Sequence, residues 1–371
     1  MISTFRIFSF CAFLPLVTSV TVSTVHGEVE GLVTSYPNAA GPFKSVSKFL
    51  GVPFAAPPVG ELRLKAPEPP QGWKPNVRPA KEHGNVCWQG KYKLQMIKYF
   101  DPHFSFSEDC LYLDVYSPNI SASLPVMFYI HGGSYELGAA VLFPSDILAL
   151  HGLVIVVIQY RLGPFGFLTT GDSASPGNFG MLDQVEALKW VKENIEHFGG
   201  DPRKVTIFGG SAGATSVTLH LLSPLSKGLF HQAVAESGVD LSSFAIQPVS
   251  FGLRFAKELA QNLDCTTRDH SAMVTCVRSK KGEEIQNASN SISYQFYEYL
   301  RWAPVVDKNF LLDTPQNLRN KREFEKVKLM ISFNSQEGGT ALGQLGSVDE
   351  GVSPSLFKEF LTTFAHGLNS R

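Results

Sequence analysis

Lys204-Val205-Thr206-Ile207-Phe208-Gly209-Gly210-Ser211-Ala212-Gly213 is a short apolar run that breaks into small residues around one serine, and the chain stays helix-compatible from Ala212 to Leu222, just short of Pro224. The run has the length and β-branched content of a strand buried on both faces. Strand, tight turn and helix therefore follow one another directly, and the turn carries a hydroxyl to a helix N-terminus, where backbone amides and positive partial charge converge. Gly209 and Gly213 flank Ser211 in the spacing G-x-S-x-G, which lets a strained strand-to-helix turn form without collision. A serine hydroxyl becomes a useful nucleophile only when it is exposed, beside a base and close to donors for the oxyanion formed on attack. Glycine and serine cluster readily in ordinary loops, so the surroundings must decide.

Upstream, Pro125 to Ile130 is a short apolar run ending at His131-Gly132-Gly133-Ser134, and Leu153 to Tyr160 is another. Both read as buried strands. From Asn178 to Phe198, Leu182, Val185, Leu188, Val191, Ile195 and Phe198 recur at helical spacing until Gly199-Gly200-Asp201-Pro202 ends the helix. His231 to Glu236 returns to strand character, and Lys328 to Phe333 is expected as one more buried strand. Alternation of strands and helices predicts an α/β fold with a mostly parallel sheet covered on both faces. The Pro- and Gly-rich stretch from Gly51 to Pro79 is expected to run irregularly over the surface, and Leu241 to Asn309 to form a less regular insertion over the sheet.

The chain has 371 residues, 44% of them hydrophobic, enough for a sizeable core. Its formal charge of -1 offers no broad attraction to nucleic acid or anionic lipid, so neither is expected as a partner. Arg6, the apolar run Ile7 to Val17 and the small residues Thr18 and Ser19 have the order of a secretory signal peptide spanning residues 1–19, leaving 20–371 as one domain secreted from the cell. No later stretch is long and apolar enough to be expected to span a membrane. With Cys11 assigned to the signal, Cys87, Cys110, Cys265 and Cys276 remain. Three pairings are open to them; the local one, Cys87 with Cys110 and Cys265 with Cys276, is the one expected in an oxidising compartment. Asn119-Ile120-Ser121 and Asn287-Ala288-Ser289 are glycosylation sequons, which agree with export.

Several segments carry a resemblance to one family. Glu108-Asp109-Cys110-Leu111-Tyr112-Leu113-Asp114-Val115 and Phe208-Gly209-Gly210-Ser211-Ala212-Gly213-Ala214 resemble the two signatures of type-B carboxylesterases. Gln159 to Leu168 and Gly177 to Gln184 resemble further segments of it, although the first usually opens with asparagine. The resemblance covers nearly the whole chain after the signal and implies the α/β-hydrolase fold. It implies Ser211 as nucleophile, with the amides of Gly133, Ser134 and Ala212 as the oxyanion hole, because His131 to Ser134 resembles the HGGG oxyanion loop with serine for its last glycine. It places Glu337, in the polar loop Asn334 to Gly339, as the triad carboxylate, in the chain order serine, acid, histidine. Such chemistry uses no metal or cofactor; a small carboxylic ester is the implied substrate.

Three departures matter. The family's histidine lies on the order of a hundred residues beyond the acid in that same triad order, whereas the only histidine after Glu337 is His366, in a segment unlike the family's. His366 therefore reads as a structural histidine, and the chain as C-terminally truncated or without turnover. Gly210 replaces a glutamate common before the serine, and Ser134 would strain its loop if positive φ is needed there. Phe100 stands where cholinesterases carry a choline-binding tryptophan, which favours a general carboxylesterase. The competing expectation is a non-catalytic adhesion or binding protein like the neuroligins, whose oxyanion loop resembles His131 to Tyr135; retention of Ser211 favours the esterase. The ester accepted and the oligomeric state are not legible here.

Overall fold

The computed structural model describes residues 18–90, 94–293 and 300–337, together with 353–355, 358 and 362. Of the expected signal segment only Thr18 and Ser19 fall within these residues, and they open the first strand. The twelve strands among the described residues are β1 Thr18–Ser23, β2 Glu28–Ser35, β3 Ser45–Pro53, β4 Val77–Pro79, β5 Val86–Cys87, β6 Phe106–Ser107, β7 Tyr112–Ser117, β8 Leu124–Ile130, β9 Val154–Ile158, β10 Gly200–Gly210, β11 Gln232–Glu236 and β12 Lys328–Ser332. One sheet runs β1-β2-β3-β7-β9-β8-β10-β11-β12, with β4 beside β2, while β5 and β6 form a small separate ladder. The neighbours from β9 through β8, β10 and β11 to β12 are all parallel. The N-terminal half, β1-β2-β3-β7-β9, is antiparallel. This is the α/β-hydrolase architecture, its parallel half built by crossover helices.

The crossovers follow the apolar periodicity. The helix Phe179–Asn194 continues as one 3-10 turn, Ile195–Phe198, and stops at Gly199, whose φ of 80° few other residues adopt cheaply. The helix Ala212–Leu222 is buried along its whole length and packs on β10 and β11. The core sits between sheet and helices, with Val126, Phe128 and Ile130 of β8 and Val205 and Ile207 of β10 at its centre.

Two expectations need correction. The stretch from Leu241 to Asn309 is more regular than its sequence suggested: the helices Val249–Asn262, His270–Ser279 and Gly282–Asn290 lie in it. Strand β12 forms where expected, but it is exposed at every position instead of buried. It is the terminal strand in the sheet order, and no described residue covers it. Both disulfides take the local pairing, with S–S distances of 2.02 Å for Cys87–Cys110 and 2.01 Å for Cys265–Cys276.

Candidate active site

Ser211 leaves β10 at φ 56° and ψ −123° and serves as N-cap of the helix Ala212–Leu222. That conformation is strained for a residue with a side chain, and it persists only where the surroundings impose it. Here the restraints are visible. The Ser211 amide donates to the Glu236 carbonyl at 2.8 Å, prolonging the β10-β11 ladder, and its carbonyl accepts the Thr215 amide at 2.9 Å, opening the helix. The turn is tight because Gly209 and Gly213 both lie on the Ile130 carbonyl of β8: a Cβ on them would stand 2.5 Å and 2.1 Å from that oxygen. Ser211 is exposed, and its Oγ has no hydrogen-bond partner among the described residues. Ala212 begins the helix, so its amide is one of the donors that no helical carbonyl can reach.

Strand β8 delivers the second component. After Ile130 the chain passes His131-Gly132-Gly133-Ser134-Tyr135, and φ is 118° at Gly133, 58° at Ser134 and 58° at Tyr135. The condition under which Ser134 strains its loop is thus met. Gly132 lies directly on the nucleophile turn: a Cβ there would be 2.4 Å from the Gly210 oxygen and 3.2 Å from Ser211 Cβ. The Gly133 carbonyl turns inward to accept the Glu136 and Leu137 amides at 3.0 and 2.9 Å. The amides of Gly133 and Ser134 themselves donate to no acceptor among the described residues.

The third component follows β11 and β12. Ser237, at φ 60°, donates its amide to the Ser332 carbonyl at 2.8 Å, and Glu337 Oε1 accepts the Asn334 amide at 2.7 Å. A hydrogen bond from the Ser237 side chain, then the Asn334 amide, hold the Glu337 carboxyl below its ordinary value, so it is an exposed carboxylate near neutrality. The segments bearing the three sequence-derived components thus leave the C-terminal ends of parallel strands, β8 directly beside β10 on one side of Ser211 and β12 beyond β11 on the other. Carboxyl ends of parallel strands are where ligands bind in such sheets.

A histidine is not part of this group among the described residues. His131 is buried, stacked on Tyr160 at 4.5 Å, with Nδ1 against the Gly132 carbonyl. His220 is buried between Ser226 Oγ and Gln184 Oε1, and burial lowers it to about 3. His366 lies outside the described residues. No group of three or more histidine, cysteine, aspartate or glutamate residues among the described ones is placed to hold a metal ion. No helix among them is long and apolar enough to cross a membrane. Phe100 ends the helix Leu94–Phe100, partly exposed and edge-on to Tyr99 at 5.2 Å.

Several known proteins share much of this sequence. Human (Homo sapiens) cocaine esterase is 43% identical over 329 positions, 86% of this chain and 56% of its own length. Carboxylesterase 5A of Mus musculus is 40% identical over 337 positions, 85% of this chain and 57% of its own. Neuroligin-2 of Mus musculus is 36% identical over 385 aligned positions, 94% of this chain and 45% of its own. The chain thus spans about half the length of the curated relatives it matches. A family model described as the carboxylesterase family matches residues 18–363, which takes in every strand of the sheet, and the chain belongs to that family.

Proposed function

We propose that this protein is a secreted serine hydrolase of carboxylic esters. The observation that carries the reading is Ser211 itself, exposed at φ 56° at the tip of β10 with Gly132 of the loop after β8 packed against its turn. Ser211 Oγ would attack the acyl carbonyl and pass its proton to a base. The amides of Gly133, Ser134 and Ala212 would take the oxyanion, each donor worth on the order of 10²–10³ in rate when correctly aimed. Collapse of the adduct would break the ester C–O bond, the alcohol leaving with the proton held by that base. Water would then hydrolyse the acyl-enzyme, releasing the acid and restoring Ser211. Glu337 would orient a histidine base that is not among the described residues, as the acid of a triad does. Export is supported by two disulfides, which persist in oxidising compartments, and by Asn119 and Asn287, both exposed as glycan attachment requires.

The test combines a fluorophosphonate probe with turnover of p-nitrophenyl acetate by the 371-residue chain. Label is expected on Ser211, and turnover is expected to be faint because no described histidine serves as base. Ser211→Ala is expected to abolish both labelling and turnover while leaving the melting temperature unchanged. His366→Ala is expected to leave turnover unaltered. Label on another serine, or turnover that survives Ser211→Ala, would overturn the assignment. The second reading, a binding protein, is favoured by the 36% identity to neuroligin-2 over 94% of this chain. A folded chain with neither label nor Ser211-dependent turnover would select it.

A further inference from the structure

The segment from Gly133 to Tyr135 holds three successive residues at positive φ, two of them with side chains. Residues of that kind are strained, so a loop containing them relaxes unless it is held from outside. One tie is charged. Glu136, next in the chain, faces Arg301, which donates Nη2 to Oε2 at 2.5 Å and Nε to Oε1 at 3.3 Å. Arg301 is fixed in turn, for its Nη1 donates to the carbonyls of Ser289 at 2.7 Å and Ile292 at 3.3 Å, at the C-terminal end of the helix Gly282–Asn290. A cation suits a helix C-terminus, where unsatisfied carbonyls gather. Next to it, Trp302 is fully buried and bonds Ser289 Oγ at 2.8 Å, so the helix end is itself anchored. The two side chains are only 12% and 19% exposed, which limits solvent screening of the pair.

We infer that the Glu136–Arg301 ion pair positions the Gly133 and Ser134 amides against Ser211, making both side chains positioning residues for the oxyanion hole. The inference rests on the hydrolase reading above, which assigns those amides. Its logic is geometric. The bidentate fork fixes the direction of Glu136 as well as its distance. Glu136 also donates its own amide to the Gly133 carbonyl at 3.0 Å, so holding Glu136 holds the peptide plane between Gly133 and Ser134, the plane that aims the Ser134 N–H. Reciprocal bonds between Gln89 and Gly138, 2.7 and 3.0 Å, and the Tyr160 hydroxyl on the His131 carbonyl, 2.8 Å, fix the two ends of the segment. Between them the Gly163 amide on the Tyr135 carbonyl, 2.7 Å, and the buried Tyr135 ring hold the Tyr135 side, and the Glu136 ion pair is the charged tie beside the Gly133–Ser134 peptide.

The experiment uses Glu136→Gln, which keeps shape and one acceptor, and Arg301→Lys, which keeps charge but loses the fork. Hydrogen exchange of the Glu136 and Leu137 amides is measured in the full chain, with β9 as the folding control, alongside kcat and KM for p-nitrophenyl acetate and a Ser211→Ala blank. Both variants are expected to speed exchange in this segment about tenfold or more without change in β9. They are expected to lower kcat about tenfold to hundredfold with KM within about twofold, because a donor misplaced by about 1 Å loses that much. Unchanged exchange overturns the inference. So does faster exchange with unaltered kcat, which would leave the pair a structural tie only. If the wild-type chain shows no Ser211-dependent turnover, the hydrolase reading falls by itself, and exchange alone decides whether the pair holds the segment.

Discussion

Four glycines around Ser211 stand where a methyl group would strike a backbone carbonyl: Gly132 on Gly210, Gly209 and Gly213 on Ile130, Gly238 on Ser211, all at 2.5 Å or less. A carbonyl in a paired strand cannot retreat as a side chain can, so a Cβ there must open the turn. Gly210 differs, for its nearest obstacle is the Glu236 oxygen at 3.9 Å. The glycine before the serine is therefore not required by packing, and a longer side chain could be carried there. Gly213→Ala is expected to destabilise by about 1–3 kcal/mol through overpacking, and Gly210→Ala to stay within about 0.5 kcal/mol. Urea denaturation midpoints of the two variants decide the matter; equal midpoints would refute the steric account of the G-x-S-x-G spacing.

Helices joined through one buried histidine give the next prediction. His220 of the helix Ala212–Leu222 donates Nε2–H to Gln184 of the helix Phe179–Asn194 and accepts from the Ser226 hydroxyl, an arrangement for neutral imidazole. Burial lowers it to about 3, below the ordinary 6.5 of an unfolded chain. Its contribution to stability is therefore whole above the unfolded value and lost as pH falls toward 3. His83 has the opposite sign. Burial pulls it down, but Asp114, at 2.8 Å from Nδ1, outweighs that and raises it, so its contribution is whole below the unfolded value and lost as pH climbs through the folded one. Melting curves from pH 4 to 9 should show His220→Asn flattening the acid side and His83→Gln the alkaline side; variants that flatten neither side would contradict these assignments. Elements of this kind also mark what a sequence can disclose. The apolar runs of β8, β9 and β10 and the spacing from Leu182 to Phe198 are local patterns, and they read correctly as strands and helix. Only β9 is buried on both faces, however; β8 and β10 alternate buried and half-buried positions from Val126 and Val205 onward. In Val249–Asn262 the buried Gly252, Phe255, Ala256, Leu259 and Ala260 also repeat at helical spacing, a signal passed over among the polar turns that follow. Ser211 and its glycines were legible because strand, turn and helix are contiguous. Glu136 with Arg301, 165 residues apart, was not, since nothing local announces a partner brought in by tertiary folding.

Across the whole molecule, the parallel half of the sheet sets both the candidate site and its weakest border. Ser211, Ser237 and Glu337 follow β10, β11 and β12 in turn, so the strand that leads to the candidate acid is also the last in the sheet order. Its composition, Lys328-Leu329-Met330-Ile331-Ser332, is that of an interior strand, yet Met330 is 58% exposed, Ile331 52% and the following Phe333 80%. Successive side chains of a strand point to opposite faces, so Met330 and Ile331 place apolar surface on both. Among the described residues β12 pairs on one side only, and an edge that is apolar on both faces and unpaired on one side is a template for pairing with another chain. The purified chain is therefore expected to bind 8-anilinonaphthalene-1-sulfonate and to scatter light increasingly with concentration. Lysine on an edge strand opposes such pairing by charge and desolvation cost. In the double variant Met330→Lys, Ile331→Lys, dye binding and scattering should both fall, while the melting temperature stays near that of the parent, since exposed positions away from packing contribute only about 0.5 kcal/mol either way. Ser237 and Asn334, which hold Glu337, are untouched by the change, so any turnover that depends on Ser211 should survive it. Scattering that persists at the parent's rate would place the adhesive surface elsewhere and leave β12 a tolerated edge.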